Sequence, residues 1–352
     1  MPGMTRRDFL KIAVLAGAAP SLLAGCAGEG DKHEVNFFNW STYIAKDTLP
    51  RFSLETGIVV NYSVFSDEEE MFAKLRSGAL GYDLIVATDY MIPRLKALNL
   101  IDPYPTGALK NTGDIDPKFR NTPYDPDNAY TVPYLWGTTG IGFNKKHISK
   151  RPTSWWDLWD PKYKGKISML DNARDCVGIA LLMKGCPQTT DSDAAFKAAE
   201  QLLISQKPLL KQYSSSTYVD SLINGEVYLA MAWSGDVIQA ARENPELDYV
   251  IPKEGSYIWV DNMCLVKGSR HRADTLRLVD YLIEGKVAAE IANFVRYGSP
   301  NAAAKPYLDK SLLDDPRVFP PPSVLKKLQF YAILPPDLAQ TWIDTWSDVK
   351  AA

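Results

Sequence analysis

Tyr82-Asp83-Leu84-Ile85-Val86-Ala87 is a near-continuous apolar run that passes directly into the polar Thr88-Asp89-Tyr90. A strand with one wet face alternates apolar and polar residues, whereas a run of this kind is buried on both faces, as in a parallel sheet. Residues 59–65 before it are β-branched and aromatic, a second strand. Between the two, residues 68–77 carry Met71, Phe72 and Leu75 at helical spacing. Upstream again, residues 35–38 predict a short strand, 39–43 a polar and aromatic loop, and 47–56 a helix stopped by Gly57. Residues 91–98 are the helix that follows the quoted run. Strand–helix–strand units in series imply an α/β protein with a mostly parallel sheet, flanking helices and right-handed crossovers.

The pattern repeats further on. Residues 154–159 read as a short amphipathic helix and 167–170 as a strand. Asp171 and Asn172 offer N-caps for a helix reaching Lys184. Helices over 193–205 and 218–224, a strand over 227–233 and a helix over 235–244 follow. Two or three helices extend to about residue 294, and the tail from Ala302 is mainly helical around Phe319-Pro320-Pro321-Pro322. Two longer apolar strands, 137–144 and 257–266, divide the body into comparable halves. They predict two lobes joined by two crossovers: residues 33–137 with 262–300, and residues 138–261 with 301–352.

The N-terminus reads as an address. Arg6-Arg7 precede an apolar stretch from Ile12 to Leu23, and Leu23-Ala24-Gly25-Cys26 follows. A basic start, a short apolar core and small residues before a cut describe a signal peptide. The stretch is too short for a stable anchor, which needs about 20 apolar residues. The paired arginines resemble the twin-arginine export signal, and the Leu-Ala-Gly-Cys run resembles a lipobox whose cysteine becomes the lipidated first residue. An exported, lipid-anchored protein is expected, in the periplasm or on the outer face of the cytoplasmic membrane. Cys176, Cys186 and Cys264 then remain, an odd number, so no full disulfide framework is expected; Cys176 and Cys186 read as buried small side chains.

Composition is that of a globular protein, 46% apolar and 23% charged, with a formal charge of −3. Without residues 1–26 there are 36 basic and 41 acidic residues. No basic patch points to nucleic acid. Metalloprotease, nucleophile-elbow and phosphate-loop motifs are absent, and His33, His147 and His271 stand in separate segments, so neither a metal, a cofactor nor catalysis is expected. Binding is the chemistry that remains, by a chain read as a monomer.

Ligands of open parallel sheets lie beyond the carboxyl ends of the strands. There the chain repeatedly places aromatics and acids: Trp40, Thr42 and Tyr43; Thr88, Asp89 and Tyr90; Asp171, Asn172 and Asp175; Trp233 and Asp236. Trp259 and Asp261 lie in the second long strand, and Tyr297 follows the helices after it. Each aromatic alone fits core packing equally well, and Asp171 and Asn172 fit helix caps. Their recurrence suits an extended alkyl-ammonium ligand. A buried ammonium needs a charge partner, and an aromatic face adds roughly 0.5–2 kcal/mol by cation–π attraction while covering the methylenes.

Several stretches resemble the polyamine-binding proteins of spermidine/putrescine ABC importers: residues 38–43, 82–86, Pro133-Tyr134-Leu135-Trp136-Gly137-Thr138-Thr139-Gly140-Ile141-Gly142, 251–255, 297–303 and 321–328. The resemblance implies a type II periplasmic-binding fold that closes on a polyamine between its lobes and docks on an ABC permease. By position it makes Trp40, Tyr43 and Tyr90 enclosing aromatics, Asp175 an ammonium ligand, Trp233 and Trp259 walls, Asp261 the most characteristic carboxylate and Tyr297 a further contact. Asn172 departs from the aspartate of spermidine binders, and Asp236 instead resembles the putrescine binders. Thr42 stands where an acid is usual, and Tyr331 falls near a glutamine. A quaternary amine or thiamine-like cation, a polyamine sensor and an exported two-acid hydrolase are the competing expectations.

Overall fold

In the computed structural model, which describes residues 33–78 and 81–352, the first strands are β1 (Glu34–Trp40), β2 (Val59–Phe65) and β3 (Leu84–Thr88). They pair in parallel in the order β2-β1-β3. All five residues of β3 are buried, as its unbroken apolar run requires. The expected export signal and Cys26 lie outside the described residues.

A two-residue strand, β4 (Ile101–Asp102), precedes the long β5 (Val132–Asn144). The second half contributes β6 (Ile167–Met169), β7 (Leu210–Tyr213) and β8 (Leu229–Trp233), parallel in the order β8-β6-β7. β9 (Leu247–Val250), β10 (Ser256–Val266) and, near the C-terminus, β11 (Leu328–Phe330) complete the set.

The pairing of one strand passes from one half to the other. β5 pairs with β10 from Val132 to Thr138, then leaves it and pairs with β8 and β9 from Thr139 onward. It is the crossover expected at 137–144, but it begins earlier, at Val132. Pro133 conceals the start, because proline donates no ladder hydrogen bond and sits in sheets at edges or bulges. Here it sits at an irregularity, where Asp261 and Asn262 of β10 face Leu135 and Pro133. The two long strands also run antiparallel to β3 and β8, so each parallel set is bordered by a strand of opposite direction. The protein is a two-lobed α/β fold.

The helices lie close to expectation. Asp67 caps Glu68–Arg76 by accepting the Glu70 N–H, and Asn172 caps Ala173–Met183 by accepting the Asp175 N–H. The C-terminal helix Pro336–Ala351 packs on Ala173–Met183 and Asp193–Gln206, with Trp342 fully buried. Residues 154–159 form a 3-10 turn closed by a reciprocal Ser154/Asp157 cap. The helix expected over 235–244 is shorter, Ser234–Ala240. Strands β7, β9 and β11 are too short to show a period. Cys176, Cys186 and Cys264 are free; Cys176 and Cys264 are buried, but Cys186 is only partly covered. Among the described residues no helix is long and apolar enough to cross a membrane.

Candidate functional site

The carboxyl ends of six parallel-paired strands, three in each half, open on one cavity of about 260 Å³. From β1 come Trp40, Ser41, Thr42 and Tyr43; from β2, Ser66 and Glu68; from β3, Thr88 and Tyr90. The other half supplies Asn172 and Asp175 after β6, Ser215 and Ser216 after β7, and Trp233 and Asp236 after β8. Trp259 and Asp261 of β10 and Tyr297 complete the ring. Of the fourteen residues singled out in the sequence, twelve therefore meet, at the switch between two parallel strand sets; Asp89 and Asp171 do not.

Local backbone geometry delivers them. Trp40 ends β1, and Thr42 takes a left-handed conformation (φ 55°), which turns the chain so that Tyr43 is buried while Thr42 stays exposed at the rim. Arg296 (φ 64°) ends the helix Gly285–Val295 in the same conformation, immediately before Tyr297. The Tyr297 ring lies against Gly235 so closely that a β-carbon there would stand 2.5 Å from it. At Gly137 one would stand 2.7 Å from the Trp259 ring. These two positions admit only glycine without the rings shifting.

Three carboxylates in the cavity share one arrangement. Asp261 accepts the Tyr43 hydroxyl (2.6 Å) and the Thr88 hydroxyl (2.7 Å). Asp236 accepts Tyr218 and Tyr297 hydroxyls, each at 2.7 Å. Asp175 accepts Tyr331 (2.5 Å) and Thr139 (2.7 Å). Two neutral donors orient each acid without neutralising it. Burial pushes the Asp261 carboxyl up to about 6 against the opposing pull of Tyr43 and Thr88. It raises Asp175 and Asp236 as well, again more than their hydroxyl partners lower them. Among the described residues none of these acids forms an ion pair.

The walls are aromatic. Trp40 and Trp233 meet edge-on from opposite halves at 5.9 Å between ring centroids, Tyr43 and Tyr297 at 5.3 Å, and Trp259 and Tyr297 at 5.2 Å. Tyr90 meets Tyr331 at 5.2 Å. Among the described residues, six acids line the cavity, with Asp220 and Glu243 added to those above and Glu68, and no lysine, arginine or histidine does. Such an enclosure disfavours anions and stabilises a cation by charge and by ring faces.

Two strand-end acids stand apart from the cavity lining. Asp171 pairs with Lys350 (2.9 Å) and accepts the Trp346 indole N–H (3.1 Å). Asp89 is buried beneath Tyr90 and Val260, whose N–H groups it accepts at 2.8 and 3.3 Å. Asn172 combines two of the expected parts: it caps its helix and lines the cavity, its Nδ2 3.4 Å from the Tyr90 hydroxyl. Sequence reasoning missed the lining acids Glu68, Asp220 and Glu243 and the hydroxyl donors Thr139 and Tyr218. Glu68 was within reach, because the strand-end rule applied to β2 leads to Ser66 and Glu68. The helical pattern of 68–77 is carried by Met71, Phe72 and Leu75 and draws no attention to the glutamates beside them.

The chain matches the model of the bacterial extracellular solute-binding protein family over residues 81–321. It is 33% identical over 316 residues to the spermidine/putrescine-binding periplasmic protein of Salmonella typhimurium, covering 89% of this chain and 91% of that one. To the putrescine-binding periplasmic protein of Pseudomonas aeruginosa it is 31% identical, covering 96% and 97%. The solved spermidine/putrescine ABC transporter substrate-binding protein of Streptococcus pneumoniae superposes with a TM-score of 0.77 at 28% identity, over 91% of this chain and 99% of that one. The chain belongs to the bacterial extracellular solute-binding proteins.

Proposed function

We propose that this protein captures a polyamine, spermidine or putrescine, between its lobes and delivers it to an ABC permease. The observation that carries the reading is the cavity itself: aromatic walls and, among the described residues, six acids and no base. The names of its relatives point the same way, since they are described as binding spermidine and putrescine, and the family is one of binding proteins rather than of enzymes.

Capture follows from the arrangement. Asp175, Asp236 and Asp261 accept ammonium N–H groups in the directions their hydroxyl partners leave free. Because the hydroxyls hold the acids in place beforehand, little ordering remains when the ligand arrives. Trp40, Tyr43, Tyr90, Trp233, Trp259 and Tyr297 cover the methylene links, and Thr42 borders the mouth. Residues 33–137 with 262–300 form one lobe and residues 138–261 with 301–352 the other. Only the closed pair makes both sets of contacts, so the ligand shifts an open–closed equilibrium toward closure. Lipidation of Cys26 holds the protein beside its permease, outside the cytoplasmic membrane.

The test is calorimetric titration of the purified chain, freed of bound amine by unfolding and refolding, with spermidine, putrescine, cadaverine and choline. One-to-one binding of spermidine or putrescine, with choline bound weakly or not at all, is the expected result. A folded protein that binds choline and none of the polyamines contradicts the reading.

A further inference from the structure

Three glutamates open the helix Glu68–Arg76, and they have different fates. Glu69 pairs with Arg94 at 2.6 Å and Glu70 with Lys74 at 2.7 Å, both on the surface. Glu68 is 1% exposed and, among the described residues, has no basic partner. One of its oxygens accepts the Thr88 N–H at 2.7 Å. The other, Oε2, is buried and, among the described residues, has no hydrogen-bond partner. The side chain lines the polyamine cavity.

An acid at a helix N-terminus is ordinarily explained by the helix dipole, which Glu69 and Glu70 already serve from solvent. That explanation does not account for an orphaned oxygen beside a cavity. Leaving a buried carboxylate oxygen unpaired costs free energy unless something bonds it. Thr88 shows where that something stands. Its N–H goes to Glu68 and its hydroxyl to Asp261, so the two acids flank a single residue on the cavity wall.

We propose that Glu68 is an ammonium ligand: with Asp261 it shares one ammonium group of the bound polyamine, and it releases a proton to solvent as that group arrives. The inference rests on the polyamine reading and adds to it a residue and a proton. Two carboxylates this close and this buried do not both ionise in an empty cavity. Burial, then the charge of Asp261, pushes the Glu68 carboxyl up to about 8. The other titratable groups that face it are Tyr90, whose hydroxyl lies close by, and Cys264 of β10; on its own helix Asp67 caps the first turn. None of them supplies a positive charge. An arriving ammonium supplies it, and the proton that held its place departs.

The experiment is calorimetric titration of the full chain and of Glu68→Gln with spermidine and putrescine, at about pH 7 in buffers of different ionisation enthalpy, and again at about pH 5.5 and pH 8.5. Glutamine keeps the acceptor for Thr88 and removes the charge. The wild type is expected to release a proton on binding and to bind more tightly as pH rises toward 8.5. Glu68→Gln is expected to lose that proton release, to bind about tenfold or more weakly at pH 8.5, and to show little loss at pH 5.5. Glu68→Asp, a shorter acid, is expected to restore the proton release in part; melting of each ligand-free variant shows that it is folded. A Glu68→Gln variant with wild-type affinity and proton release overturns this inference alone. A wild type that binds neither polyamine overturns the polyamine reading and this inference together.

Discussion

The two ends of the third strand treat buried acids in opposite ways. At the entrance to β3, Asp83 accepts the Asn36 N–H (2.8 Å), the Asn36 amide (3.0 Å), the Ser269 hydroxyl (2.7 Å) and His271 Nδ1 (3.0 Å). Burial alone would push its carboxyl up, but these bonds together outweigh it and hold the group below the ordinary carboxylate range. At the exit, Asp261 faces Thr88 across the ladder, with Glu68 on the other side of that residue. There burial wins and both acids are raised. An acid whose partners are complete ties the fold together. One whose partners are incomplete holds a place for something that comes later.

Removing the charge at each end of β3 in turn separates the two roles. Asp261→Asn is expected to weaken polyamine binding by about a hundredfold or more, since a buried ammonium is left without its counter-charge. The ligand-free variant is expected to melt no lower than the wild type. Asp83→Asn is expected to do the reverse: roughly 1–3 kcal/mol of stability lost from a satisfied buried network, with ligand affinity almost unchanged. Titration and denaturant melts of the two variants, side by side, check both. If Asp83→Asn lost the ligand and Asp261→Asn lost the fold, the distinction would be wrong.

A smaller effect tests the hydroxyl partners. Tyr331→Phe removes one of the two donors that orient Asp175, one bond worth about 1 kcal/mol, and is expected to lower affinity several-fold by titration. No change would mean that the hydroxyl only fills space.

The long-range plan of this molecule is legible in its residues, because burial on both faces leaves an unbroken apolar run at β3 and the crossovers leave two more. Less legible was whatever depends on a few residues at a time. β5 begins behind Pro133, and β11 is three residues long in a stretch whose turns and prolines read as helical. In the site, Trp40, Asp175 and Asp236 follow from the strand-end rule, since that rule concerns where the chain turns, whereas Asp261 stands inside β10. Glu68 lies within reach of the same rule at the end of β2, but a triple glutamate on a helical pattern looks the same whether one member faces in or all face out. The hydroxyls of Tyr218, Tyr331 and Thr139 come from distant segments, and only folding brings them to their acids.

The pH dependence of stability joins the two ends of β3 in one measurement. Asp261 has its folded value raised from 3.8 to about 6 and Glu68 from 4.5 to about 8. Each therefore favours the ligand-free fold most below its ordinary value, and that contribution is lost as pH rises through the folded value. Asp83, lowered from 3.8, works in the other direction: its contribution is complete above that value and is lost as pH falls into the acid range. In the proposed ligation a bound ammonium removes the protons from Asp261 and Glu68 and so cancels their dependence. The most direct test is the melting temperature between about pH 5 and pH 8, with and without saturating spermidine. The ligand-free protein is expected to lose stability as pH rises relative to the complex, so that the gain on adding spermidine widens toward pH 8. Curves that run parallel across that range, or no gain at any pH, would contradict the assignment of these acids to the ligand.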